Sequence, residues 1–222
     1  MITYIIPTIG RETLQNSIHS LINQTIKEWY AIIIFDGMKA SFVNKDKRIK
    51  IIEVEKLGLN VNSAGLVRNY ALSFVETEWV AFLDDDDIIS DDYIESFYKE
   101  IELYPETDLL IFRMNNHGRI IPKLDANNFY ICDVGISFIM KKKIYNNGFI
   151  FIPDGVEDFL YLDKVRSNGY KIMISPYTKY HVRTNIVEND FIFGKRVFIN
   201  FDIEYRYFIK YLFKNKYVKI NM

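Results

Sequence analysis

Residues 79–87, Trp-Val-Ala-Phe-Leu-Asp-Asp-Asp-Asp, restrict the fold more than any other stretch of the chain. An apolar run without polar alternation reads as a strand covered on both faces. This one delivers consecutive carboxylates, Asp84 to Asp87, to its C-terminal end. Adjacent carboxylates repel unless a cation or shifted pKa values relieve them. The C-terminal ends of strands are also where open α/β sheets bind ligands. A solvated acidic turn before a helix is the bland alternative. Four aspartates at the exit of a buried strand favour a ligand site over it.

Other segments extend the same pattern. Residues 3–6 form a short apolar run that turns at Pro7-Thr8-Ile9-Gly10. Tyr30 to Phe35 is a second run, closed by the turn pair Asp36-Gly37, and Ile49 to Val54 is a third. Leu14, Ile18, Leu21 and Ile22 keep helical spacing within Arg11 to Gln24, and Ala64 to Val75 predicts a second helix. Ser90 is placed to cap the next helix, with Asp91 and Asp92 in its first turn and an end near Tyr104-Pro105. Asp108 to Phe112 reads as a strand. Beyond it the pattern is more mixed, with strands near 129–132 and 136–140, a helix over 156–167 and a strand over 171–174. Unalternated strands separated by helices predict an α/β fold with a mostly parallel central sheet flanked by helices. The expected organisation is one domain over 1–222, with a nucleotide-binding half at 1–112, a substrate-side half at 113–189 and a helical tail at 190–222.

Composition removes several classes. A net charge of −1 argues against a duplex nucleic-acid binder, which needs a basic excess to neutralise phosphates. The single cysteine, Cys132, excludes an intrachain disulfide, fits a reducing compartment, and reads as a small buried hydrophobe. The first residues lack the basic region and long apolar run of a signal peptide. No run approaches the roughly 20 apolar residues of a membrane span. A cytoplasmic protein, soluble or peripheral at a membrane, is expected.

Several further residues are candidates for chemistry. Pro7, Thr8 and Arg11 follow the first strand, where backbone groups and a cation can hold a base or phosphate. Asp36 is explained equally well as a turn residue and as a partner for a nucleobase N–H. Arg68 and Asn69 interrupt a helix otherwise built from small and apolar residues, so Arg68 stays at the surface or points into a cleft. Glu157 and Asp158 are acids at a helix start, where the dipole alone accounts for them. His181 is a lone histidine, more often structural than a ligand.

Taken together, the order and spacing of these segments resemble the family-2 glycosyltransferases. "IIPTIGRETLQNSIHSLINQT" looks like that family's opening strand and helix, and "IIIFDG" like its second strand with a base-reading aspartate. "GLVRNYAL" is similar to its R-N-x-A helix, "WVAFLDDDD" to its metal-binding D-x-D strand, and "NNGFIFIPDGVEDFLYLDKV" to the segment that supplies the base. The resemblance runs from residue 3 to about residue 183 and implies the GT-A fold over the whole domain, the second half lying on the acceptor side. It implies transfer of a sugar from a nucleotide-diphosphate donor, most often UDP-linked, to a glycan, lipid-linked or protein acceptor, with inversion. Pro7, Thr8, Arg11 and Asp36 would hold the base, Arg68 and Asp85 the nucleotide cleft, and Asp84 the ribose or the metal shell. Asp86 would be the principal ligand of Mn²⁺ or Mg²⁺, His181 a further metal or diphosphate contact, and Asp158 the general base with Glu157 beside it.

Two rivals fit less well. A sugar-nucleotide pyrophosphorylase needs a glycine-rich, lysine-containing loop where Pro7-Thr8-Ile9-Gly10-Arg11 stands. A haloacid-dehalogenase-type phosphatase places its D-x-D strand early in the chain. A hydrolytic or non-catalytic nucleotide-sugar-binding protein is the remaining alternative. In the tail, Phe201, Tyr205, Phe208, Ile209 and Leu212 recur at helical spacing. A helix packed on the domain is the first expectation, with a basic amphipathic membrane contact or a homodimer contact as alternatives.

Overall fold

The computed structural model describes residues 1–42, 44–58, 64–187 and 193–199. Strands β1 (Ile2–Thr8), β2 (Trp29–Asp36), β3 (Ile49–Val54) and β4 (Trp79–Phe82) are the apolar runs of the first half, joined through helices α1 (Leu14–Ile22) and α2 (Ala64–Leu72). All of these strands pair in parallel, with β1 between β4 and β2. Every residue of β1 and β4 is buried, as unalternated apolar strands require when both sheet faces are covered. In register, Thr8 lies opposite Phe35, and Ile5 opposite Phe82. Thr8, Asp36 and Asp84 therefore leave the sheet at one edge.

The second half contributes β5 (Ile88–Ile89), α3 (Tyr93–Leu103), β6 (Leu109–Asn116), β7 (Arg119–Ile121), β8 (Phe138–Lys141), α4 (Lys143–Asn146), α5 (Glu157–Arg166), β9 (Ile172–His181) and β10 (Val197–Ile199). The sheet runs β10-β9-β6-β8-β4-β1-β2-β3. It is parallel from β4 to β3, but β8 enters antiparallel to both β4 and β6. The central sheet is mixed, because β6 returns to β8 without the crossover helix that a parallel neighbour needs.

Local expectations change in four places. Residues 129–132 form no strand: Cys132 sits at a φ of 63°, a left-handed conformation incompatible with a ladder. Cys132 is also exposed, not a buried hydrophobe. Ser90 does not cap α3. The β5–β9 pairing turns its hydroxyl against His181, with Oγ 3.1 Å from Nε2. In the segment expected to be a helical tail, residues 197–199 are a strand beside β9, and their buried, exposed, buried alternation is the two-residue period of a sheet. The helix expected over 201–213 lies outside the described residues. Among the described residues, no helix is long and apolar enough to cross a membrane.

Two arginines fasten this last strand. Arg196 forms a two-pronged ion pair with the buried Glu100 of α3, at 2.6 and 2.9 Å. Arg113, fully buried in β6, donates to the carbonyls of Pro122 at 2.8 Å and of Lys123 and Lys195 at 2.5 Å. The strand is thus part of the core scaffold. Arg196→Ala, which leaves Glu100 buried without its cation, is expected to cost about 3 kcal/mol of stability. Urea unfolding measures this, and a loss under about 0.5 kcal/mol, the range of ordinary surface substitutions, would contradict it.

Candidate active site

A cleft of about 510 Å³ opens at the C-terminal ends of β1, β2 and β4. Pro7, Thr8, Asp36 and Lys56 line it, as do Cys132, Val134, Asp158 and Phe159. Arg11, Arg68, Asp84, Asp85, Asp86 and Arg183 complete its charged lining.

Three of the four aspartates after β4 are relieved of mutual repulsion, each in a different way. Asp84 accepts a hydrogen bond from Arg68 Nη2 at 2.6 Å. Asp85 is buried and accepts from the Thr8 hydroxyl at 2.6 Å and from Arg11 Nη1 at 2.5 Å. Asp87 turns away from the cleft and accepts the Arg183 backbone N–H at 2.8 Å. Burial, with the neighbouring Asp84, pushes the Asp87 carboxyl up to about 8, so it stays largely protonated at neutral pH. Asp86 is treated differently. Its carboxylate accepts no hydrogen bond among the described residues, and its ion-pair partners, Arg11 and Arg183, are 3.7 Å away. Burial raises its pKa, Arg11 opposes that, and Asp84 and Asp85 add to it.

The loop is itself held from behind. The Ser17 hydroxyl of α1 donates to the Asp87 and Asp84 carbonyls at 2.7 and 3.2 Å, and the Asp84 N–H donates to the Tyr180 hydroxyl at 3.1 Å. Elsewhere on the cleft lining, Asp36 accepts the Leu57 N–H at 2.7 Å and is ion-paired with Lys56.

Across the cleft, α5 begins with Glu157 and Asp158. Arg68 of α2 is buried between the two walls, donating through Nη1 to Glu157 at 2.6 Å and lying 3.5 Å from Asp158 Oδ1. Burial alone would lower the Arg68 guanidinium, but Asp84, Asp158 and Glu157 together raise it, so it stays charged. Asp158 is half-buried and its Oδ1 accepts no hydrogen bond. Burial lifts this carboxyl to about 7; Arg68 opposes the shift, and Asp84 and Glu157 reinforce it. A carboxylate with that pKa on the lining of the cleft is suited to general-base work near neutral pH.

The model of the family described as "Glycosyl transferase family 2" matches residues 3–163, well over half of the chain. The chain belongs to glycosyl transferase family 2. It is 28% identical to the poly(ribitol-phosphate) beta-N-acetylglucosaminyltransferase TarP of Staphylococcus aureus, over 93% of this chain and 68% of TarP. It is 30% identical to the glycosyltransferase GlyA of Streptococcus pneumoniae over 68% of this chain, but spans only 21% of GlyA. Among solved structures, S. aureus TarS 1–349 in complex with UDP-GlcNAc superposes with a TM-score of 0.65 at 20% identity, covering 84% of this chain and 59% of that one. That likeness is one of fold, and the fold is GT-A.

Most of the site residues expected for a family-2 glycosyltransferase converge on the cleft: Pro7, Thr8, Arg11, Asp36, Arg68, Asp84, Asp85, Asp86, Glu157 and Asp158 all line it. His181 does not. It is fully buried in β9, its ring against Ser90, because the strand runs seven residues past the 171–174 expected, and Arg183, two positions further on, is the residue that reaches the cleft. Arg183 stands near Asp86 where His181 was expected. Lys56 was also missed; it lies just past β3 and gives no signal of its own until β3 is paired beside β2. Cys132 lines the cleft.

The raised carboxyls set a pH dependence. Asp87 and Asp158 hold their protons to about 8 and about 7 when folded, against an ordinary value of 3.8. The folded chain therefore binds more protons than the unfolded chain across that window, and its stability falls as pH rises through it. In chelator, the melting temperature is expected to be lower at pH 8 than at pH 5, with Asp87→Asn narrowing the difference. An unchanged difference in the variant would contradict the assignment.

Proposed function

We propose that the chain transfers a sugar from a nucleoside-diphosphate donor to an acceptor hydroxyl, with inversion and with Asp158 as general base. The observation that carries this reading is that one cleft is lined both by the under-compensated Asp86 and by Asp158, whose Oδ1 accepts no hydrogen bond. Both are groups that a donor and an acceptor need and that the fold alone does not.

The cleft has a base end and a sugar end. Asp36, Pro7 and Thr8 are the residues for the nucleobase, and Arg11, Lys56 and Arg183 are cations within reach of a diphosphate. UDP-N-acetylglucosamine is the first donor to test, supported by the TarS complex with that compound and by TarP's name. The acceptor is a hydroxyl of a glycan, a lipid-linked saccharide or a protein, and TarP's name adds polyol-phosphate polymers as a class.

Asp84 and Asp86 suit an oxygen-preferring divalent cation, Mn²⁺ or Mg²⁺, because they offer carboxylate oxygens only and Asp86 has no hydrogen bond to lose. Among the described residues no group of three or more His, Cys, Asp or Glu side chains forms a complete cation site. The remaining ligands would then be donor phosphates and water, which is usual for Mg²⁺. When bound, such a cation neutralises charge on the diphosphate leaving group.

For the chain's own residues, the chemistry is a direct displacement. The acceptor oxygen attacks the anomeric carbon, its proton passes to Asp158, and the bond from that carbon to the diphosphate oxygen breaks. Asp158 acts in its ionised form, so activity rises with pH through the neutral range. Asp158→Asn, whose amide cannot take the proton, is expected to lose about 10²–10⁴ in transfer rate while UDP binding is kept. Rate and UDP affinity are read by product release and calorimetry. Transfer at the wild-type rate would overturn the reading.

A further inference from the structure

Glu157 and Asp158 are neighbours with unlike surroundings. Both Glu157 oxygens are engaged, Oε1 by Arg68 Nη1 at 2.6 Å and Oε2 by the Gly65 N–H at 3.1 Å. It is buried as well. Asp158 keeps an oxygen free of hydrogen bonds. The helix that carries Arg68 is shaped around this contact. A Cβ on Gly65 would stand 2.3 Å from Glu157 Oε2 and 2.9 Å from Phe151 Cβ, so glycine is what lets α2 approach. The next residue on α2, Asn69, exchanges hydrogen bonds of 2.8 Å with both backbone groups of Phe151, ahead of α5. Phe151 packs face to face with Tyr161 of α5, their centroids 4.3 Å apart.

Arg68 therefore spans two walls. One nitrogen of its planar fork meets Asp84 at the end of β4, and the other meets Glu157 at the start of α5. A guanidinium holds both contacts at a fixed separation, which the single nitrogen of a lysine does not. We propose that Glu157 is a positioning residue and not a second base: it locks Arg68, and Arg68 sets the gap between Asp84 and Asp158. The donor side and the base side of the cleft are spaced by this one buried bridge. The inference rests on the transferase reading above.

The test is a double-substitution cycle read by UDP release from UDP-N-acetylglucosamine in water at saturating donor, with melting temperature and KM recorded for each variant. Arg68→Lys keeps the charge and loses the span, so kcat is expected to fall about 10²-fold, the order that a misplacement of about 1 Å can cost. Glu157→Gln keeps an acceptor for Arg68 but turns an NH₂ group toward the Gly65 N–H, and is expected to lose less. The double variant is expected to match Arg68→Lys within about threefold, because the two residues act as one unit. Losses that multiply would mean that Glu157 acts independently, and would overturn the proposal. So would a loss that vanishes once rates are corrected for folded protein. A wild-type chain that releases no UDP is a different result, and would overturn UDP-N-acetylglucosamine as its donor.

Discussion

Like charges about 4 Å apart in the effective dielectric of a protein surface repel by roughly 4 kcal/mol. Domains are stable by only about 5–15 kcal/mol in all. Four carboxylates in sequence at the end of β4 are therefore the constraint around which the site is organised. Three of them are compensated by the protein: Asp84 by Arg68, Asp85 by Thr8 and Arg11, and Asp87 by burial in a protonated form. Those compensations reach out to β1, to the loop after it, to α2 and to β9. Through Arg68 they also reach α5. Much of the cleft is assembled by the need to neutralise one strand end, and Asp86 is the carboxylate that this network leaves without a hydrogen bond among the described residues.

The first half of the fold was legible in the sequence because its information is local. Ile2–Thr8, Trp29–Asp36 and Trp79–Phe82 are apolar without alternation, and helices with clear spacing separate them, which is enough to predict parallel pairing and a shared C-terminal edge. The second half depends on contacts far apart in sequence. The Val197-Phe198-Ile199 strand is too short to announce itself beside a long aromatic stretch with helical spacing. The break at Cys132 follows from a backbone angle that no side-chain pattern encodes.

The site divides in the same way. The lining residues that leave β1, β2 and β4 or open α5 could be named from their motifs, but Lys56 past β3 and Arg183 past β9 could not. What the motif did not contain was the direction of its neighbours. His181 and Arg183 differ by two positions, and only the length of β9, fixed by its pairing with β5 and β6, decides which one reaches the cleft. Arg68 was ambiguous in the same sense. A lone arginine on an apolar helix is either a surface residue or a buried one, and the partners that bury it lie 16 and 89 positions away.

On the reading proposed above, Asp86 is the carboxylate reserved for a cation shared with the donor diphosphate. Calorimetric titration of UDP into the wild-type chain and into Asp86→Ala, each with and without Mn²⁺, tests it most directly. Mn²⁺ is expected to tighten UDP binding in the wild type and to have no such effect in the variant. Equal UDP affinity in the wild type with and without the cation, or an undiminished gain in Asp86→Ala, would contradict it.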